Sequence, residues 1–300
     1  MLTVLAELSS AGHRRSPEVN DLADSGDHWP DIQPDAFGLS DVGRSRETND
    51  DRFLVATLQR ALAVRHSNFP GVDSRQIVSD PQAWLFCVAD GVGGIAGGDM
   101  ASAIAIDAVC AHALRFMPWP SSVDPQLPAE AIEGLRRAMI AAQHRMQRIA
   151  ESRGMDRRLG TTLTAAIVAW PELLVVHVGD SRAYLLEDGR LHRLTRDHTL
   201  AEALREGGID VPEEAATAGM LVNAVGGGSD HLAVDVVTHA LRPGARLLLA
   251  TDGLTRYLDD AELTQRIAAS DGSEAIVRSL VAEALARGGE DNVTALVAAF

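Results

Sequence analysis

Aspartates recur in this sequence where apolar runs meet turns. Asp90 directly follows the run WLFCVA, Asp252 follows LLLAT, Asp291 stands just before NVTALV, and the pair Asp50–Asp51 precedes RFLVA. A carboxylate at the end of a buried strand is costly unless a hydrogen bond or a cation compensates its charge. Oxygen ligands with no His or Cys among them suit Mg²⁺ or Mn²⁺ better than zinc. The pattern therefore predicts a divalent-cation site at one edge of a sheet.

Each of these aspartates also has a purely local explanation. Asx-turns and helix N-caps both place a carboxylate beside a turn, and for a single position that role is the more common one. Four such sites spread over about 240 residues, two of them with glycine directly behind the aspartate, favour one shared site instead.

Glycines follow Asp90 at positions 91, 93, 94, 97 and 98. Because glycine has no Cβ, backbone and bound water can pack closely here, and the Gly91 carbonyl is available as a further ligand. The run Gly91-x-Gly93-x-x-Ala96 also fits the weak form of a dinucleotide-binding fingerprint. We disfavour that alternative, because Asp90 would approach a pyrophosphate charge and no strand-end acid follows about twenty residues later.

The elements that must position these aspartates alternate between strands and helices. Successive strands over 161–194 are separated by turn signals, among them Asp188-Gly189, a strong hairpin dipeptide. Apolar residues three and four apart over 132–149 predict an amphipathic helix, and an alanine-rich helix is predicted to start with Asp99 as its N-cap. Consecutive hairpins indicate antiparallel sheets, so we predict an α+β fold in which helices cover the sheets.

Composition favours one globular domain. Residues 1–35 are rich in Ser, Asp, Pro and His and show no sustained periodicity, so we predict a flexible tail there and a single domain over 36–300. Residues 59–82 are interpreted as a surface excursion of that domain. Apolar residues make up 46% of the chain, which is enough for a substantial core.

Charge and residue usage exclude several classes of protein. The net charge of −15 argues against binding to nucleic acids or anionic membranes. The chain has no lysine, which rules out a Walker-type phosphate loop, a protein kinase and Schiff-base chemistry. Its two cysteines, Cys87 and Cys110, lie in apolar stretches, as expected in a reducing compartment. Because no membrane span or signal peptide is evident, we expect a cytoplasmic protein.

Seven segments, in order along the chain, resemble the metal-dependent serine/threonine protein phosphatases of type 2C, the PPM family, in their bacterial form. They are SDVGRSRETNDDRFLV, VADGVGG, GTTLTAAIV, VHVGDSRAYLL, LTRDHTL, LLLATDGLT and GGEDNVTALV, and the resemblance runs from about residue 37 to residue 300. The resemblance implies an αββα sandwich of two antiparallel β-sheets flanked by helices. It also implies two Mn²⁺ or Mg²⁺ ions in a cleft at one edge of the sheets.

The resemblance also assigns roles to individual positions. It implies that Asp90 bridges the two ions and that Gly91 contributes its carbonyl. The remaining metal positions are Asp252 and Asp291 for one ion and Asp51 for the other. Arg46 matches the arginine that binds the substrate phosphate, and its planar fork of donors suits two phosphate oxygens. The implied reaction is in-line attack on phosphorus by a metal-activated water.

Four positions depart from the family pattern or stay open. Val92 stands where eukaryotic members have His and bacterial members Met, so the general acid is unassigned. Arg157 stands at the usual third-metal aspartate, with Asp156 one step away, and Asn223 stands where Arg is common. Asp180, in the segment GDSR, is interpreted as a structural hairpin residue.

The sequence therefore predicts a protein serine/threonine phosphatase. Its expected partners are phosphoproteins, including a Ser/Thr kinase and its substrates, and it is expected to act as a monomer. Two alternatives stay open within the same fold. One is an inactive binding module, which the filled acidic positions disfavour, and the other is a phosphatase dedicated to one partner.

Overall fold

Two antiparallel sheets of five strands lie at the centre of the computed structural model. It describes residues 33–59, 61–63, 76–78, 83–92, 97–116, 129–156, 158–209, 217, 219–229, 231–269 and 272–300. With elements numbered in chain order, the first sheet runs β1 (Asp35–Asp41), β15 (Val293–Ala299), β14 (Arg246–Ala250), β10 (Arg182–Glu187), β11 (Arg190–Arg193). The second runs β13 (Asp235–Ala240), β9 (Glu172–Val178), β8 (Leu163–Ala169), β5 (Ala83–Ala89), β2 (Arg52–Leu58).

Helices cover the outer face of each sheet. The second sheet is covered by α1 (Gly98–Phe116) and α2 (Ala129–Arg153). The first is covered by α4 (Asp252–Thr255), α5 (Asp260–Ala268) and α6 (Ser273–Ala286). A short helix, α3 (Leu200–Glu206), follows the first sheet's β11. None of the helices in the described ranges is both long and apolar enough to cross a membrane.

Alternation along the strands explains the four layers. In β5, Trp84, Phe86 and Val88 face the first sheet and pack with residues of β10, β14 and β15. Leu85 and Cys87 point the other way and pack under α1 and α2. A third core lies between the first sheet and α4–α6. Because the side-chain period of a strand is two, each central strand contributes to two cores at once.

Very short strands join the sheets to the aspartates. A three-stranded sheet is formed by β6 (Gly91–Val92), β7 (Gly160–Thr161) and β12 (Val225–Gly226). Two further short strands, β3 (Ala61–Ala63) and β4 (Gln76–Val78), pair with each other. The two-residue connection at Asp188-Gly189 has positive φ at both residues, 48° and 74°, as a type I′ hairpin turn requires.

The structure confirms the predicted αββα sandwich. Every strand pair within the described ranges is antiparallel, so the dinucleotide-binding alternative is wrong, because that fold needs a parallel sheet. The N-cap prediction is also wrong: α1 begins at Gly98, so Asp99 lies inside its first turn, where a carboxylate still suits the helix dipole. Residues 1–32 of the proposed tail and most of the 59–82 excursion lie outside the described residues, while Asp35, the last residue assigned to the tail, is the first residue of β1.

Candidate active site

The predicted aspartates meet at a cavity of about 1150 Å³. Its lining combines carboxylates, one arginine from the first loop and backbone from the short three-stranded sheet. Among the residues that line it are Arg46, Asp50, Asp90, Gly91, Asp180, Asp252, Asp291 and Asn292. Asp51 lies behind this surface and is 1% exposed. Apart from Asp51, all the residues that the sequence assigned to the site line this cavity: Arg46, Asp90, Gly91, Asp252 and Asp291.

Asp90 is fixed through its backbone at the end of β5. Its N–H donates to Thr162 Oγ1 at 3.0 Å, and its carbonyl accepts from Thr162 N at 2.9 Å and Thr161 Oγ1 at 2.8 Å. The carboxyl group is therefore presented to the cavity from a rigid strand end. Burial, followed by repulsion from neighbouring carboxylates, raises the pKa of Asp90 well above its usual range.

Asp51 is the most deeply placed carboxylate of the group. The hydroxyl groups of Thr251 and Thr294 donate to its Oδ2 at 2.8 and 2.7 Å. Its Oδ1 is buried without a hydrogen-bond partner. Burial raises the pKa of Asp51 to about 7, although the two threonine hydrogen bonds act in the opposite direction. An unsatisfied buried oxygen of this kind indicates that a partner from outside the chain belongs here.

Two arginines hold the carboxylates at the mouth. Arg46 Nη2 donates to Asp291 Oδ2 at 2.9 Å, and Arg256 Nη2 donates to Asp252 Oδ2 at 2.7 Å. Hydrogen bonding to Asp291 is the main reason why the pKa of Arg46 is raised. Asp252 Oδ1 is nevertheless buried without a hydrogen-bond partner. Within the described residues, no three His, Cys, Asp or Glu side chains are arranged to hold one metal ion.

Gly91 is required by packing. A Cβ at this position would lie 2.4 Å from the Gly98 carbonyl carbon at the start of α1. A Cβ on Gly98 would in turn lie 2.8 Å from Asp50 Oδ2. The glycines after Asp90 therefore let α1 begin directly against β6, which is why bulk is cleared from this part of the chain.

Asp180 and Asn292 lie at the site although the sequence did not predict a functional role for them. Asp180 lines the cavity, and burial, followed by repulsion from Asp252, raises its pKa to about 8. It follows a buried strand in VHVGD just as Asp90 does in FCVAD, and that shared pattern is a signal in the sequence. Asn292 fastens the loop that carries Arg46: its Nδ2 donates to the carbonyls of Val42 and Thr48, both at 2.9 Å.

Two of the positions that depart from the family pattern line the cavity. Val92 and Asn223 both line the cavity. Asp156 is turned to Arg158, whose Nη2 donates to its Oδ2 at 2.7 Å, and that contact lowers the pKa of Asp156 to about 2. Arg157 lies outside the described residues. Asp156 thus already has a cationic partner of its own.

Comparison with known proteins decides the family. A family profile described as protein phosphatase 2C matches residues 62–287. The chain belongs to the protein phosphatase 2C family. It is 32% identical over 262 residues to the serine/threonine phosphatase stp of Listeria welshimeri, covering 86% of this chain and 92% of that protein.

Two further similarities place the fold within this family. Over 219 residues the chain is 36% identical to the serine/threonine protein phosphatase PstP of Mycobacterium tuberculosis, which is 72% of this chain but only 40% of that protein. The crystal structure of the PstP catalytic domain in complex with two manganese ions superimposes with a TM-score of 0.64 at 30% identity. That match covers 88% of this chain and 96% of the PstP domain.

Proposed function

We propose that this chain hydrolyses phosphoserine and phosphothreonine in proteins, using Mn²⁺ or Mg²⁺ held by the cavity carboxylates. The observation that carries the proposal is the pair of buried oxygens without a partner, Asp51 Oδ1 and Asp252 Oδ1, in a cavity crowded with further carboxylates. The protein phosphatase 2C family and its manganese-bound member support the same conclusion.

The donor set suits hard divalent cations. Carboxylate and carbonyl oxygens are what Mg²⁺ and Mn²⁺ take from proteins. We assign Asp252 and Asp291 to one ion and Asp51 to the other, with Asp90 shared between them and Gly91 adding its carbonyl. Positive charge at this place would relieve the repulsion that raises the pKa of Asp90.

A cation at Asp291 has to compete with hydrogen bonds from the chain, whereas Asp252 keeps one oxygen free. Asp291 Oδ2 accepts from Arg46 and its Oδ1 accepts from Asn292 N at 2.9 Å, while Asp252 Oδ2 accepts from Arg256 and its Oδ1 has no partner. Release from Asp291 would leave the Arg46 guanidinium free to bind two oxygens of a substrate phosphate through its planar fork. The Arg46–Asp291 salt bridge therefore couples cation binding at Asp291 to the availability of Arg46 for the substrate.

Hydrolysis of the phosphoester would then depend on the bound cations, on water and on Arg46. Bound divalent cations lower the pKa of water toward neutrality and offset charge on phosphoryl oxygens. Arg46 would orient the phosphoryl group, and the backbone hydrogen bonds of Asp90 would hold its carboxylate in place for the ions. Val92 offers no proton for the serine or threonine leaving group, so we assign that proton to solvent in the open cavity.

We expect the substrates to be phosphoproteins made by Ser/Thr kinases, with the chain acting as a cytoplasmic monomer. A net charge of −15 opposes nucleic-acid or anionic-membrane partners. An inactive binding module is the second candidate, and the test below separates the two.

The proposal is tested by hydrolysis of a phosphothreonine peptide and of p-nitrophenyl phosphate. The protein is stripped with EDTA, then given Mn²⁺ or Mg²⁺, and compared with Asp252→Asn and with Asp188→Asn, an exposed hairpin aspartate, as matched control. We expect activity only with metal, lost in Asp252→Asn and kept in the control. A folded wild-type protein inactive on both substrates with either metal would contradict the proposal.

A further inference from the structure

One wall of the cavity is a separate segment, residues 219–224, which we call the wall segment. All six of its residues line the cavity. Two of them, Met220 and Val222, are 53% and 49% exposed, which is unusual for large apolar side chains beside an acidic site. These exposed apolar side chains can contact the residues that flank a phosphorylated side chain in a peptide, and a small phosphate ester has no such residues. The position of the wall segment is therefore a determinant of peptide binding.

The wall segment is tied to the loop before α3 by its backbone. Val222 N donates to the carbonyl of His198 at 2.9 Å, and Leu200 N donates to the carbonyl of Met220 at 2.8 Å. Thr199 and Leu221 form an isolated antiparallel bridge between these contacts. His198 lies at the middle of this junction and is 7% exposed.

The His198 ring joins the wall segment to the end of β9. Its Nδ1 accepts from Asn223 Nδ2 at 2.7 Å and from Gly179 N at 3.1 Å, and Gly179 directly precedes Asp180. Its Nε2 lies 3.1 Å from Asp235 Oδ2. Since Nδ1 faces two N–H donors and Nε2 faces a carboxylate, the network fixes the tautomer with the proton on Nε2.

Asn223 is saturated by this arrangement. Its Nδ2 supplies one hydrogen to His198 and the other to the Ala233 carbonyl at 2.8 Å, while its Oδ1 accepts from Ala233 N at 3.2 Å. The side chain thus closes the loop between residues 223 and 233 at its base and docks it on the imidazole. Gly179 is held a second time, by donation from His198 N to its carbonyl at 2.7 Å. Losing the imidazole acceptor would therefore leave the wall segment tied to this junction only by its two backbone hydrogen bonds, to His198 and Leu200, and so loosen it.

We propose that His198 and Asn223 form a latch that fixes the wall segment against Gly179, at the end of β9, and so sets the affinity for phosphopeptides. Both are positioning residues, and the inference rests on the proposed phosphatase function. Losing a hydrogen bond of this kind is expected to raise KM for a phosphopeptide by about tenfold. The kcat value, and KM for p-nitrophenyl phosphate, are expected to change by less than about threefold.

Four variants test the latch. His198→Gln keeps an amide only near the Nε2 position and loses the Nδ1 acceptor, whereas His198→Asn places its Oδ1 near Nδ1 and should restore wild-type KM. Asn223→Ala removes the other partner, and the double variant with His198→Gln should raise KM no more than either single change. His192→Asn, on an exposed position of β11, is the matched control.

Hydrogen exchange of the wall-segment amides, measured with and without Mn²⁺, reports on the latch independently of enzymatic activity. We expect these amides to exchange about tenfold faster in His198→Gln and Asn223→Ala than in wild type or His198→Asn. If the wild-type protein proved inactive but the amides still exchanged faster in His198→Gln and Asn223→Ala, the phosphatase function would be refuted and the structural role of the latch would stand. Unchanged exchange together with unchanged peptide KM, in folded and active variants, would overturn the latch.

Discussion

Carboxylates in two regions of this molecule meet opposite surroundings. On the outer helices, Glu262 and Glu283 share Arg287, and Arg266 Nη2 adds a contact to Glu283 Oε2 at 2.6 Å. Those hydrogen bonds lower the pKa of Glu262 to about 2 and lower that of Glu283 as well. In the cavity, burial raises the pKa of Asp51 to about 7.

The difference is one of counter-charge. The carboxylates on the helices are paired with arginine side chains of the same chain, so their negative charge is compensated once the protein folds. The cavity carboxylates outnumber the arginines that reach them, and two of their buried oxygens have no hydrogen-bond partner. Buried negative charge without compensation is unfavourable, and proteins keep such groups where an ion or a substrate supplies the balance. The comparison thus identifies the functional region as the one whose buried carboxylates lack enough positive counter-charge within the chain.

Removing the shared cavity carboxylate should have the largest effect. Asp90→Asn keeps the size of the side chain but removes the charge that we assign to both ions. We expect metal-dependent hydrolysis to fall by roughly 10²–10³-fold. The measurement is kcat/KM on p-nitrophenyl phosphate at saturating Mn²⁺, with circular dichroism to verify folding. Activity within threefold of wild type would remove Asp90 from the site.

Removing the side chain of Arg46 should reduce activity less than Asp90→Asn does. Arg46→Ala eliminates the charge-assisted contact that we propose to the substrate phosphate, so kcat/KM should fall about 10–100-fold. Arg46→Lys should recover only part of this loss, because an ammonium group cannot bind two phosphate oxygens with a planar fork. Full recovery in the lysine variant would show that only the charge matters there.

The cavity should also reveal itself in the pH dependence of stability. Asp51 and Asp180 have pKa values raised to about 7 and about 8, so they stabilise the metal-free fold while protonated, at low pH. This contribution is lost as the pH rises from about 4 to about 8. We expect the metal-free melting temperature to fall over that window and Mn²⁺ to raise it more at pH 8 than at pH 5. An equal shift by Mn²⁺ at both pH values would contradict this reading.

Disrupting the ion pairs of Glu262 and Glu283 on the outer helices should have the smallest effect. Arg287→Ala removes exposed ion pairs to Glu262 and Glu283, which water and salt screen. We expect a slight drop in melting temperature that shrinks in high salt, with unchanged Mn²⁺ affinity and hydrolysis. Weaker Mn²⁺ binding in this variant would mean that the two regions are not independent.

Local patterns in the sequence were sufficient to predict antiparallel sheets covered by helices and to mark the strand-end aspartates, whereas the αββα layering was implied by the resemblance to a family. Strands such as β5 and the amphipathic helix α2 carry clear periodicity, and Asp90 and Asp252 are marked by the apolar runs before them. The two-residue strands β6, β7 and β12 escaped prediction, since no periodicity exists over so short a length.

Long-range contacts account for what was missed in the site. Asn292 reaches the loop of Arg46 across about 250 residues of chain, and Asn223 meets His198 across 25. No spacing rule along the chain connects such positions. Asp180 is different: its strand-end pattern matched that of Asp90, but a hairpin role explained the segment GDSR equally well until burial beside Asp252 was known.

The most direct test of the central claim is a calorimetric titration of EDTA-stripped protein with Mn²⁺ near neutral pH. The account predicts saturable binding of about two ions per chain, with release of protons as the raised carboxyl groups ionise. It also predicts that binding is severely weakened in Asp90→Asn and Asp252→Asn and intact in Asp188→Asn. Absence of saturable binding to the folded wild-type protein, or equal binding by all three variants, would contradict it.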